Sequence, residues 1–139
     1  MAVTSERISV KTRGEVDIID ITDDLEEAVK NSGVTKGIVT VFVPGSTGAL
    51  TTIEYEPGLI HDLPVALERI APRDAGYEHE QRWHDGNGHS HVRASILGPS
   101  LTIPFKNGSL TLGTWQQIVF MNLDTQARRR EVLLQIMGI

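Results

Sequence analysis

Four of the five histidines in this chain fall between residues 79 and 91: His79, His84, His89 and His91. Neutral imidazole is the commonest side-chain metal ligand. The chain has no cysteine, so any metal must be held by nitrogen and oxygen donors. His89 and His91 form His-Ser-His at the head of an alternating stretch, His89–Leu97, that reads as a strand. Residues i and i+2 of a strand share a face, so both rings would converge on one ion at about 2.0–2.1 Å. His79 is the third candidate ligand, with His84 an alternative, carried back by the intervening loop. Three protein ligands and an open position characterise a catalytic rather than a structural site. Such donors suit a divalent metal, zinc first and magnesium second. The bland reading of the same residues is a solvated loop with scattered histidines.

Other residues around this cluster carry chemistry of their own. Asp85-Gly86-Asn87-Gly88 is a turn-forming run. In a functional reading Asp85 accepts from a ligand imidazole or acts as a general base. Asp85 and Asn87, with Glu54, are the candidate catalytic groups. Glu54 and Glu56 would share a strand face, where burial would raise the pKa of one of them, and solvent exposure is their plain reading. Pro44-Gly45-Ser46-Thr47-Gly48 lacks the Gly-Lys-Ser/Thr ending of a Walker loop. Even so, Ser46, Thr47 and the backbone amides around them could cradle an anion, although a tight turn alone explains the composition. Arg128-Arg129-Arg130 is ordinarily a solvated charge run, yet Arg128 or Arg129 could clamp a phosphate. Trp115 and Gln116 complete the candidate substrate-binding set, against the simpler reading of Trp115 as core packing.

The elements that must position these groups follow from periodicity. The chain has 139 residues, 40% of them apolar and 22% charged. That composition suits a single domain over 1–139 with a buried core. The absence of cysteine excludes a disulfide scaffold, a thiolate nucleophile and an iron–sulfur cluster. Thirteen basic against 18 acidic residues, a net charge of −5, argue against a nucleic-acid partner. No apolar run reaches the roughly 20 residues of a membrane span, and Met1–Ser9 lacks the apolar stretch of a secretory signal. The expectation is a cytoplasmic chain with no membrane partner.

Ile8, Val10 and Thr12 alternate as in a half-buried strand, and Val16, Ile18 and Ile19 suggest a second. Asp23 and Glu26 have capping-box spacing, which predicts a helix over 23–32. Gly37–Val43 and Ala49–Tyr55 read as strands. Leu59, Leu63, Leu67 and Ile70 read as helix, kinked or divided at Pro64. Residues 72–88 show no period, and so long a structureless run is often functional. Strands at His89–Leu97, Ser100–Phe105, Ser109–Leu112, Gln116–Leu123 and Glu131–Met137 follow, with Asn107-Gly108 as a hairpin turn. The fold class is α+β, a β-sandwich of mostly antiparallel strands with two helical segments.

Taken together, these motifs resemble the YjbQ-like family of small proteins. The most specific piece is Leu112-Gly113-Thr114-Trp115-Gln116-Gln117-Ile118, preceded by Ser100–Pro104 and Asn107-Gly108. Tyr77-Glu78-His79, Asn87-Gly88-His89-Ser90-His91, Ala94-Ser95 and Ile96-Leu97-Gly98 occur in the family's order, and Glu54, Pro57 and Asp62 sit near its acidic positions. The resemblance implies a β-sandwich-dominated fold, a homotrimer, and a metal-associated pocket holding His79 and His91, with His89 beside them. It further implies a thiamine phosphate synthase-like transferase that joins a pyrimidine pyrophosphate to a thiazole phosphate, so the partner is a small phosphorylated substrate. Many relatives carry a histidine in the Pro44–Gly48 loop, and here Gly45 stands in its place, with His84 or His89 as candidate substitutes. Two other readings fit the same residues: metal-assisted hydrolysis of a phosphoester or amide, and a non-catalytic module whose metal only holds the loop.

Overall fold

β-branched and aromatic runs separated by turns fold here into two antiparallel sheets. The computed structural model describes residues 1–139. In chain order the elements are β1 (Ala2–Lys11), β2 (Asp17–Asp20), α1 (Thr22–Asn31), β3 (Lys36–Phe42), β4 (Gly48–Ile53), α2 (Pro57–Ile70), α3 (Glu78–Trp83), α4 (Gly88–Leu97), β5 (Ser100–Lys106), β6 (Ser109–Leu110), β7 (Gln117–Asn122) and β8 (Arg129–Gly138). One sheet has the order β1-β8-β3-β5-β6 and the other β2-β7-β4. The mixed α+β class and the facing antiparallel sheets agree with the sequence reading. The helices number four instead of two.

The alternation along each strand builds the layers. Val39 and Val41 of β3, Val132, Leu134 and Ile136 of β8, and Ile103 and Phe105 of β5 face Leu50 of β4 and Ile118 and Phe120 of β7. Helix α1 contributes Leu25 and Val29 to this core. Val119 and Met121 of β7 point the other way, into a second cluster with Ile18, Ala49, Leu67 and Ala94. The smaller sheet is therefore covered on both faces, by the larger sheet on one side and by α2 and α4 on the other. That explains why Ile118–Met121 is continuously apolar instead of alternating.

Local details depart from the sequence expectations in instructive ways. Helix α1 is not closed by an Asp23–Glu26 box. Asp20 accepts from the Thr22 amide and hydroxyl, and the Glu26 carboxylate accepts from the Leu110 amide. Helix α2 runs through Pro64 as one helix, seated by Leu67 with Ile60 and Leu63. The Asn107-Gly108 turn has positive φ at both residues, as a two-residue hairpin requires. The final strand β8 lies inside its sheet, between β1 and β3, and β1 and β6 are the edges.

Two larger departures concern the site. Residues 78–83 form helix α3, and the stretch read as a strand, His89–Leu97, is helix α4. The buried positions Ser90, Arg93, Ala94 and half-buried Leu97 recur at helical spacing. Two of them are polar, which hides the period. Arg93 is accommodated in the interior by the Ala71 carbonyl at 3.0 Å and the Glu68 carboxylate at 2.6 Å. No helix is long and apolar enough to cross a membrane.

Phe120 is wholly buried between the sheets. Phe120→Ala is expected to lower unfolding free energy by about 3–5 kcal/mol, measured by urea denaturation.

Candidate functional site

The two sheets and α4 leave a polar pocket where the β3–β4 loop, the end of β7, the start of β8 and the α3–α4 connection meet. It has a volume of about 290 Å³ and is lined by Gly45, Ser46, Thr47, Asp85, Asn87, His91, Asp124, Arg128 and Arg130, none of them apolar. Because α4 is a helix, His89 and His91 diverge by about 200° around its axis. His91 faces the pocket. Its ring stacks obliquely on that of His79, centroids 4.5 Å apart.

His79, Asp85 and His91 each offer a donor atom within 4.8 Å of the others. His79 Nδ1 is buried without a hydrogen-bond partner, 3.6 Å from Asp85 Oδ1 and 3.5 Å from Glu80 Oε1. Ligand atoms about 2 Å from a common ion stand at most about 4 Å apart, so slight side-chain rotation closes the set. An orphaned imidazole nitrogen facing a carboxylate fits a cation. Two imidazoles and one carboxylate favour zinc over magnesium, which prefers oxygen donors.

His89 lies elsewhere. It is buried, and its Nε2 meets Glu15 Oε2 at 2.6 Å, while Arg73 reaches the other oxygen of Glu15 at 3.1 Å. The structure therefore removes the shared-face argument for His89 and His91, and it is Asp85 that stands beside His79 and His91. His84 caps α3 in the left-handed conformation and is exposed. Neither histidine occupies the place of Gly45. Gly45 itself has φ +110°, and a side-chain carbon there would stand 3.3 Å from Arg130 Nη1. The room at this point is held by an arginine.

The opposite wall is organised by Asp124. Its buried carboxylate accepts from the Thr47 hydroxyl at 3.0 Å, the Gln126 amide at 2.9 Å, Arg128 Nε at 3.1 Å and Asn87 Nδ2 at 3.4 Å. Burial alone would raise its pKa. The Gln126 amide, the Thr47 hydroxyl and Arg128 outweigh burial and hold it below its ordinary value. Arg130 Nη2 donates to Thr47 Oγ1 and to Asn122 Oδ1 at 3.1 Å, while its buried Nε has no partner. Burial pulls the Arg130 pKa down, Asp124 opposes this, and nearby Arg128 adds to it. Glu80 secures the α3–α4 connection by accepting from the Gly86 and Gly88 amides. Those bonds and His79 overcome desolvation and depress its pKa.

The remaining candidates divide cleanly. Ser46, Thr47, Asp85, Asn87 and Arg128 line the pocket. Asn87 is engaged on all sides: its carbonyl accepts from Ser90 and the Thr125 amide. It braces the wall. Glu54 is exposed beyond the end of β4, away from the pocket lining. Trp115 is 72% exposed in the β6–β7 turn, not core. Gln116 beside it bonds Thr52 and the Gly113 amide, again outside the pocket. Arg129 projects from the opposite side of β8. Arg130, Asp124 and Asn122 are the residues that motif reading missed. Strand parity was the available signal for Arg130, since 128 and 130 share a face and 129 does not.

The arrangement is that of a small α+β two-sheet protein with a histidine–carboxylate cluster facing a half-buried arginine. Comparison with known proteins identifies its group. The family described as UPF0047 protein YjbQ-like matches residues 6–139, and the chain belongs to it. A UPF0047 protein of Archaeoglobus fulgidus is 38% identical over 126 residues, 91% of this chain and 96% of the relative. One from Methanothermobacter thermautotrophicus is 41% identical over 130 residues, 94% of this chain and 90% of that relative. The crystal structure of a YbjQ-like protein from Sulfolobus solfataricus superposes with a TM-score of 0.94 at 33% identity, covering 99% of each chain. A yjbq/upf0047 family structure from Clostridium acetobutylicum gives 0.86 at 38% identity, covering 95% of this chain and 99% of that one.

Asp124→Ala leaves the Thr47 hydroxyl, the Gln126 amide and Arg128 without their buried acceptor, and a loss of about 1–3 kcal/mol is expected on urea unfolding. Since the native pKa of Asp124 is depressed, its stabilising contribution is complete above the unfolded value and is lost as pH falls through the native one. Acid titration of stability should therefore be flatter in Asp124→Asn than in the parent, below the ordinary aspartate value of 3.8.

Proposed function

We propose that the pocket is the reaction centre of a metal-dependent enzyme acting on a small phosphorylated substrate, a transferase of the thiamine phosphate synthase type. The observation that carries this reading is the opposition of two walls. His79, Asp85 and His91 form one, and Arg128 and Arg130 with the Thr47 hydroxyl form the other. A zinc ion held by the first wall would supply Lewis-acid polarisation of a phosphate oxygen. On the second wall the guanidiniums bind phosphate oxygens and neutralise the charge that grows on a departing pyrophosphate. Arg130 is already fixed by Thr47 and Asn122, so little side-chain freedom is lost when an anion arrives. Ser46 and Thr47 orient the anion from the β3–β4 loop. The work of such an enzyme lies in the cytoplasm, where phosphorylated intermediates are made and consumed.

Hydrolysis of a phosphoester is the second reading, favoured by one observation: no lining residue is apolar. A heterocycle would find no apolar wall within this pocket, whereas a simple phosphoester needs none.

The proposed assembly is a homotrimer. The outer face of the larger sheet carries Val3, Ile38 and Met137, each exposed, aligned across β1, β8 and β3 with Pro104 of β5. A cleft of about 380 Å³ runs beside them, lined by Met1, Lys36, Gly37, Ile38, Met137, Gly138 and Ile139. β1 is also an open edge, which proteins ordinarily cover.

Elemental analysis should find one zinc per chain, lost in His79→Ala and His91→Ala and kept in His89→Gln. Incubation with the pyrimidine pyrophosphate and thiazole phosphate should yield thiamine phosphate and pyrophosphate. Turnover of a generic phosphoester without condensation would establish the hydrolytic reading instead, and neither activity would refute both. Sedimentation should give a trimer that Ile38→Asp converts to monomer; a monomeric parent would end the assembly proposal.

A further inference from the structure

A second cleft lies against the arginine run. It measures about 540 Å³ and is lined by Ser9, Lys11, Thr12, Ala127, Arg128 and Arg129. No carboxylate is among them. Arg128 lines this cleft and the histidine pocket alike.

The charges of the cleft are arranged against local stability. In the β1–β8 ladder Lys11 stands directly opposite Arg129. Like charges directly opposite on paired strands repel. Farther along the same ladder charges are matched, and Arg7 pairs with Glu131 at 3.8 Å. Lys11 and Arg129 form no ion pair, in a chain with 18 acidic residues and a net charge of −5. The one protein partner of the Arg129 side chain is Ser9 Oγ, which accepts from Nε at 3.0 Å. That bond fixes the guanidinium and leaves its terminal amino groups free. Thr12 is spent differently: its hydroxyl donates to the Arg128 carbonyl at 2.8 Å and accepts from the Arg128 amide at 3.0 Å. The backbone beneath the shared arginine is thereby locked.

A held guanidinium, a free ammonium and a second guanidinium around one concavity are the donors that phosphate oxygens require. The volume lies within the range of small-ligand sites. The cleft is also separate from the apolar row proposed for assembly. Lys11 and Val3 are eight residues apart on β1, roughly 26 Å at the strand rise.

We propose that this cleft is a second anion subsite, which holds a phosphate group while another phosphate occupies the histidine pocket, with Arg128 bridging the two. The chemical class implied is a substrate pair, or one substrate, presenting two phosphorylated ends. This inference rests on the reading of the histidine pocket for the first anion position only; the cleft's own charges carry the second.

The test is titration of the intact chain with inorganic phosphate and with pyrophosphate, followed by amide NMR. Saturable shifts are expected at Lys11, Thr12 and Arg129 as well as at Thr47 and His91. Lys11→Glu places a carboxylate opposite Arg129 and fills the charge vacancy internally. It should fold with a Tm no lower than the parent, lose phosphate affinity at the cleft by at least about tenfold, and leave the shifts at Thr47 and His91 intact. Shifts confined to Thr47 and His91, or an unchanged affinity in Lys11→Glu, would overturn the second subsite and spare the first. Shifts confined to the cleft would overturn the histidine-pocket reading and, with it, the paired subsites. A change of sedimenting species in Lys11→Glu would mark the cleft as a protomer contact and overturn the proposal.

Discussion

The buried carboxylate of Asp124 is the constraint on which the site depends. Two segments distant in sequence end on it, the β3–β4 loop through Thr47 and the start of α4 through Asn87, together with the turn that follows it through Gln126 and Arg128. A buried charge is tolerated only when its hydrogen-bonding capacity is filled. Here each donor that fills it also lines or braces the pocket. Satisfying the carboxylate and shaping the site are one event, and Arg130, 3.9 Å away, is held beside it for the same electrostatic reason.

The layering explains why the pocket sits where it does. β7 is buried on both faces, so its interior can hold only apolar side chains, from Ile118 to Met121. Polar residues first become affordable where the strand leaves the layers, at Asn122 and Asp124. The neighbouring chain ends, Gly45–Thr47 before β4 and Arg128–Arg130 entering β8, reach the same rim. α4, packed on β4, brings His91 to it from the helical layer. The cluster thus draws one wall from the sheets and the other from the helices.

How much of this was legible in the sequence varied with the element. Strands with one apolar face, such as Gly37–Val43 and Glu131–Met137, announce themselves by alternation, and the Asn107-Gly108 turn by its chemistry. The family motifs supplied the class and overall architecture. α4 was hidden because polar Ser90 and Arg93 occupy inward positions where a period count expects apolar residues, and His-Ser-His-Val-Arg mimics a strand. That error carried His89 into the ligand set, although its true neighbour is Glu15, 74 residues earlier. No local pattern encodes such a contact. Asp124 was unreadable for a similar reason: a lone aspartate near a turn looks solvated until its four donors assemble. His79 and His91 stand out by clustering and by the family motifs, whereas Asp85 reads as an acceptor or base in a turn until the fold brings it beside them.

The pairing of β8 has a consequence for how the chain comes together in time. Last in chain order, β8 is central in space, with β1 on one side and β3 on the other. Ala2 registers against Gly138 across that ladder. Until β8 is available, β1 has no partner and β3, β5 and β6 form only a partial sheet. Assembly of the larger sheet therefore waits on closure of a loop nearly as long as the chain, the topology associated with slow, highly cooperative folding. Arg128 and Arg130 enter with that same strand, so on a growing chain the pocket and the cleft are completed together, once β8 has been made.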